Sequence, residues 1–205
     1  MERLTTPLVE WGMASRAIAP GQVTADLCLV RESPHGVLIA AVDGVGHGPE
    51  AVSAAQRAID LIASAEVERP IDVVRLCHPG LRGTRGVVMS LAWFDAARDT
   101  LTWLGVGNVA GMLVRLDPTA SPRTESLLCA RGVVGRQMPI PRAEILSVAH
   151  GDTLVLATDG VRPQFASDLS TLGTPQAVAD RILAAHATGA DDALVVVARY
   201  RGGAA

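Results

Sequence analysis

Val37-Leu38-Ile39-Ala40-Ala41-Val42-Asp43-Gly44-Val45-Gly46-His47-Gly48-Pro49 passes from six consecutive apolar residues into a carboxylate, a glycine-rich turn and a proline. A short apolar run closed by turn residues predicts a buried strand. Pro49 suits a first helical turn, and Ala51, Ala54, Ala55, Ala58, Ile59, Ile62 and Ala63 follow at helical spacing, predicting a long helix that ends near Glu66. The same junction of apolar run and acid recurs twice. Thr153-Leu154-Val155-Leu156-Ala157-Thr158 leads into Asp159-Gly160, and Asp191-Asp192 immediately precedes Ala193-Leu194-Val195-Val196-Val197-Ala198. Carboxylates held at strand ends can converge on hard cations. With no set of His or Cys around them, oxygen ligands suit magnesium or manganese better than zinc, which points toward metal-assisted phosphate chemistry.

The chain has 205 residues, 49% of them apolar and only 19% charged, enough to bury a large core as one domain over residues 1-205. A net charge of −3 with no basic run argues against nucleic acid or anionic lipid as partners. One Tyr and two Phe leave no aromatic platform for stacking bases. Cys28, Cys77 and Cys129 are odd in number and widely spaced, so neither a disulfide framework nor a paired-cysteine zinc site is indicated, and the expected compartment is the reducing cytoplasm. The start, Met1 to Pro7, lacks the charged-then-apolar pattern of a secretion signal, and no apolar run is long enough to span a bilayer.

Outward from the opening stretch, Pro20-Gly21 and Ser33-Pro34-His35-Gly36 break residues 8 to 42 into strands and turns. Pro70 opens a second helix that stops at Pro79-Gly80. Val87 to Phe94, Thr100 to Val106 and Met112 to Leu116 read as a β-meander, and Asp117 to Pro122 as the cap of a hairpin. Glu144 to Val148 and Thr153 to Ala157 flank a tight turn at His150-Gly151-Asp152. A helix follows Pro175 with Ala177, Val178, Ile182 and Leu183 on its apolar face, and the last strand is Ala193 to Tyr200. Strand runs interrupted by two helical blocks, without strict alternation, predict an α+β fold with mostly antiparallel sheets.

Each acidic position has a plain alternative. Asp43 either faces an ion, with the Gly44 carbonyl beside it, or caps the helix that follows. Asp159-Gly160 is also a favoured type I′ hairpin pair. Asp191-Asp192 places two like charges together, awkward unless a cation or solvent screens them. Asp26 interrupts a strand-like segment, and an inward carboxylate there needs a partner. More specific is Val42 to Gly48, in which five of seven positions are Asp, Gly or His.

In order and spacing, Asp26, Asp43-Gly44-Val45-Gly46-His47-Gly48, Thr158-Asp159-Gly160 and Asp191-Asp192 resemble the PPM-type, or PP2C-like, metal-dependent serine/threonine protein phosphatases. The closer likeness is to the SpoIIE branch, and within it to single-domain stressosome phosphatases. Gly83-Thr84-Arg85-Gly86-Val87, Gly105-Val106-Gly107-Asn108 and Gly132-Val133-Val134-Gly135 support it, and the likeness runs from about residue 10 to residue 200. The resemblance implies a PP2C-like αββα sandwich, two antiparallel β-sheets flanked by helices, with two divalent cations, manganese preferred or magnesium, at one edge. By position Asp43 bridges the two ions, the Gly44 carbonyl completes one site, Asp159 and Asp191 ligate the other, Asp26 sits in or behind the shell, and Asp192 orients Asp191. Water activated between ions about 3.5–4 Å apart would attack phosphorus directly.

His47 is the nearest imidazole in sequence to protonate the leaving alkoxide, although it follows Asp43 by four residues where eukaryotic relatives have their His after two. A metal-bound water or a purely structural His47 is the alternative. Ala25 stands where this branch usually has Gly, and the phosphate-binding arginine of eukaryotic relatives has no counterpart, unless Arg85 substitutes rather than facing solvent. The implied partner is a phosphorylated STAS-domain protein of a stressosome-like complex, met by a monomer. An anti-sigma-factor antagonist, also a STAS protein, is the alternative substrate, and a catalytically silent binding module the alternative function. Gly105 to Ala110 matches a dinucleotide-binding pattern, but strand-like Met112 to Leu116 follows where a helix is required.

Overall fold

The computed structural model, which describes residues 7–202, stacks two β-sheets face to face with helices on the outside. The Met1 to Thr6 segment, read above as lacking a leader, lies outside the described residues. One sheet carries β2 (Asp26–Ser33), β3 (Gly36–Gly44), β4 (Val87–Asp95), β5 (Thr100–Val106) and β8 (Cys129–Ala130) in that order, with β9 (Glu144–Ser147) also on β5. The other runs β1 (Val9–Arg16), β11 (Ala193–Tyr200), β10 (Thr153–Ala157), β6 (Ala110–Val114), β7 (Thr124–Ser126). All ladders are antiparallel except the two-residue β5–β8 pairing.

The opening stretch is apolar at every position because both faces of β3 are covered. Val37, Ile39 and Ala41 enter the core between the sheets, while Leu38, Ala40 and Val42 pack beneath α1 (Pro49–Ser64) and α2 (Pro70–Gly80). Across the sandwich, Leu154, Leu156, Leu194 and Val196 fill the same inner core. Val155, Val195 and Val197 meet α3 (Pro175–His186) on the outside. The αββα architecture expected from the resemblance is therefore the one observed. Among the described residues no helix is long and apolar enough to cross a membrane.

Two local expectations need correction. The meander breaks after β5, since β6 crosses to the other sheet and pairs with β10. Likewise β9 and β10 do not form a hairpin: β9 joins β5, and β10 lies between β6 and β11. Strand periodicity states which residues are buried but not which sheet receives them, and both sheets here have an apolar inner face. On α3 the buried set is Pro175, Val178, Ala179 and Ile182, leaving Ala177 exposed. The short strands β7 and β8 are too brief to leave a periodic signal.

Helix α1 meets β3 at close range. Gly44 is buried under the first turn of the helix, where a methyl group would lie 2.2 Å from the Ala51 carbonyl oxygen. The helix start at Gly48 has no side-chain cap, so the capping alternative for Asp43 falls away. Gly44→Ala is expected to push α1 off the sheet at a cost of about 1–3 kcal/mol, lowering the thermal midpoint by about 2–12 °C. Calorimetry showing an unchanged midpoint would contradict this packing.

Candidate active site

Strand register sets the first pair of acids. Asp26 lies opposite Asp43 on neighbouring β2 and β3, and alternation along β3 turns Asp43 to the same inner face as Ile39 and Ala41. Asp26 is only 3% exposed. Its partner comes from the other sheet: the Thr158 hydroxyl, one residue past β10, donates to Asp26 Oδ2 at 2.6 Å. The same hydroxyl accepts from the Leu194 N–H at 2.8 Å, so one side chain joins β10, β11 and β2 at this end of the sandwich.

Asp159 and Asp191 arrive on loops held together by main chain. Gly160 packs so closely against the residue-192 backbone that a Cβ would fall 1.8 Å from the Asp192 carbonyl oxygen. Thr158 to Val161 form a tight turn, closed by the Val161 N–H on the Thr158 carbonyl, that runs on toward a 3-10 turn at Pro163–Ala166 rather than back along a hairpin. Asn108, on the β5–β6 turn, donates from Nδ2 to Asp159 Oδ2 at 2.7 Å. Asp43, Asp159, Asp191, Asn108, Gly46 and Arg131 all line one cavity of about 500 Å3.

Asp192 and His47 sit beside this cavity. Asp192 meets the Asp191 side chain through its main chain, while its own carboxylate accepts from the Ile18 N–H at 2.8 Å and the Ala25 N–H at 2.7 Å, fastening the β1–β2 loop next to Asp26. The hydrogen bond between the two acids runs from the Asp192 N–H to Asp191 Oδ1. His47 is exposed and lines the groove beside the acidic cavity, next to Gly46, which lines the acidic cavity itself. Arg85 pairs with Glu50 on α1 at 2.6 Å. His78 accepts from the Gly135 N–H through Nδ1, a structural use beside buried Cys77. Thr158, Asn108 and Arg131 are the residues whose roles the sequence did not give. Asn108 and Arg131 sit in glycine-flanked segments, the one signal that marked them.

Burial and mutual repulsion act together on the acids. Desolvation, reinforced by Asp26, Asp159, Asp191 and Asp192, pushes the Asp43 carboxyl up to about 8. Desolvation also lifts Asp26 to about 7, against the Thr158 hydrogen bond and with the neighbouring aspartates adding to the rise. Asp159 is raised by burial and by Asp191, with the Asn108 bond opposing. Among the described residues no basic side chain forms an ion pair with any of these acids. No three His, Cys, Asp or Glu side chains among those residues are drawn to a common coordination point either. An all-oxygen donor set, strained by its own negative charge and lacking a basic partner, is chemically suited to hard divalent cations.

Fold and acidic end together define a PP2C-like phosphatase. The model of the SpoIIE family, stage II sporulation protein E, matches residues 33–201, and the chain belongs to that family of metal-dependent serine/threonine phosphatases. A protein solved in work on the bacterial stressosome, as a modular system adapted to control secondary messenger signalling, is 28% identical with a TM-score of 0.83, covering 93% of this chain and 99% of that one. RsbX in complex with magnesium is 18% identical with a TM-score of 0.81, over 94% and 95% of the two chains. The PP2C phosphatase domain of SpoIIE from Bacillus subtilis, solved with a fragment of its regulatory domain, is 21% identical at 0.73, over 93% and 63%. No curated protein matches the chain in sequence.

Raised carboxyl pKa values mean that folding takes up protons at Asp26 and Asp43. Their contribution to stability is fully present below about pH 4, the unfolded carboxylate range, and is lost as pH climbs through 7 and 8. Metal-free protein should therefore show a falling thermal midpoint between pH 5 and pH 8.5, and Asp43→Asn should flatten that fall. A midpoint that rises across this window in the metal-free protein would refute the electrostatic picture.

Proposed function

We propose that residues 1-205 form one phosphatase domain that removes phosphate from serine or threonine of a STAS-domain stress-signalling protein. The observation that carries the reading is the acidic end of the sandwich: carboxylates from separate segments, electrostatically coupled, share one cavity without a basic ion-pair partner. Asp43 and the Gly44 carbonyl would serve one cation and share Asp43 with a second, which Asp159 and Asp191 would complete. Magnesium or manganese, when bound, supplies a nucleophile from water at neutral pH and offsets charge on the phosphoryl oxygens.

The chain's own residues do the rest. Asp26, buried and bonded to Thr158, stands behind Asp43 and fixes the spacing between the two sheets at this end. Asn108 holds Asp159 by Oδ2, and the main chain at residues 159 and 160 also bonds to its carboxylate, so the side chain is set in place before any ligand arrives. Arg131 brings a positive charge to the cavity that receives the phosphate dianion. Asp192 holds the β1–β2 loop, so its removal would disturb the site through the backbone rather than through a lost ligand.

Two lines support the substrate class. RsbX and a stressosome-associated protein share the fold nearly end to end with this chain. The second line is the match of the SpoIIE family model over residues 33–201. The test is incubation with manganese and each candidate phosphoprotein, a stressosome STAS protein and an anti-sigma-factor antagonist, followed by intact-mass measurement of phosphate loss. Asp43→Asn and Asp159→Asn should each lower the rate by at least about 100-fold, roughly 2.7 kcal/mol of lost transition-state stabilisation, while circular dichroism stays that of the parent. Retained turnover in either variant would remove that carboxylate from the reaction; a metal-loaded parent with no turnover would make the chain a binding module.

A further inference from the structure

Beside the acidic cavity lies a larger, open one of about 1160 Å3, walled on one side by the β1–β2 loop and on the other by the outer face of α1. Its surface is apolar where it matters. Val23 is 71% exposed and Ile18 38%, and they face Pro49 and Val52 across the groove. Arg57 and Asp60 line it as well, one charge of each sign, so it has no field that would favour an anionic lipid surface. Its volume exceeds what a small metabolite fills.

The groove and the acidic cavity share a wall. Gly46 lines the acidic side, while His47 and Gly48, the next two residues of the β3–α1 turn, line the groove. They also share an anchor: the Asp192 carboxylate holds Ile18 and Ala25 by their N–H groups, and its neighbour Asp191 lines the acidic cavity. A loop that presents an exposed valine and isoleucine would be expected to fold them inward; here a buried carboxylate fixes the backbone on either side of them. A residue whose phosphate entered the acidic cavity would carry its flanking chain over the 46–48 turn and into this groove.

We propose that the groove is a docking site for the phosphoprotein substrate itself, taking an apolar side chain from the polypeptide that flanks the phosphorylated residue. The proposal rests on the phosphatase reading. Docking through one buried aliphatic side chain should lower KM about tenfold, equivalent to ~1.4 kcal/mol.

The experiment uses the full chain with manganese and two kinds of substrate. One is p-nitrophenyl phosphate, too small to reach the groove. The other is a set of phosphoserine peptides in which a Leu pair is moved stepwise through Gly/Ser flanks. The parent should show about tenfold lower KM for at least one Leu position than for the all-Gly/Ser peptide. Val23→Asp, a change at an exposed site, should abolish that preference, Val23→Leu should keep it, and all three proteins should hydrolyse p-nitrophenyl phosphate equally. Equal KM for every peptide with the parent, or a preference that Val23→Asp leaves intact, overturns the docking site alone. A parent that cleaves neither the peptides nor p-nitrophenyl phosphate overturns the phosphatase reading and this proposal with it.

Discussion

Negative charge placed at one end of an otherwise apolar sandwich is the condition around which this protein is arranged. Asp26 and Asp43 face each other on adjacent strands, and the sheet opposite supplies a hydroxyl but no basic group. Water alone stabilises such a set poorly, because burial withdraws solvent from the charges while their proximity sets them against one another. A divalent cation reverses both effects. The repulsion that raises Asp43 and Asp159 becomes attraction to a shared positive centre, so the same geometry that costs stability without metal gives affinity with it.

The sandwich makes this placement with little specialised structure. Strand alternation already sends every second residue of β3 inward, and the series Val37, Ile39, Ala41 continues to Asp43 where the apolar core runs out. On the other sheet the series Leu154, Leu156 continues to Thr158. Function thus occupies the last step of two core patterns, where inner-face positions first come within reach of solvent and ligand. The glycines nearby serve contact: Gly44 admits the first turn of α1, and this approach carries residues 46–48 to the boundary between the two cavities.

What could be read from the residues follows from the range of the forces involved. The apolar runs, the helix starts at Pro49, Pro70 and Pro175, and the acids at strand ends are local signals, and the structure has elements at each of these places. The destination of β6 and of β9 is a non-local choice between two equally apolar sheets, and no local pattern in Met112 to Leu116 or Glu144 to Val148 distinguishes them. Site roles divide the same way. Asp43 and Asp159 stand beside glycine after an apolar run, which marks them in sequence. The bond from Asn108 to Asp159 spans 51 positions and those from Ile18 and Ala25 to Asp192 span 174 and 167, so they exist only once the sheets are stacked. His47 is close in sequence to Asp43, yet it lines the neighbouring groove while Asp43 lines the acidic cavity.

The contact of Gly160 against the Asp192 carbonyl gives this end of the molecule a fixed gauge. The gap between Asp159 and Asp191 is measured out by peptide units, which neither bend nor change length as side chains do. Substitutions around the entrance would therefore change its shape while the calibre of the acidic jaws stays set by the backbone.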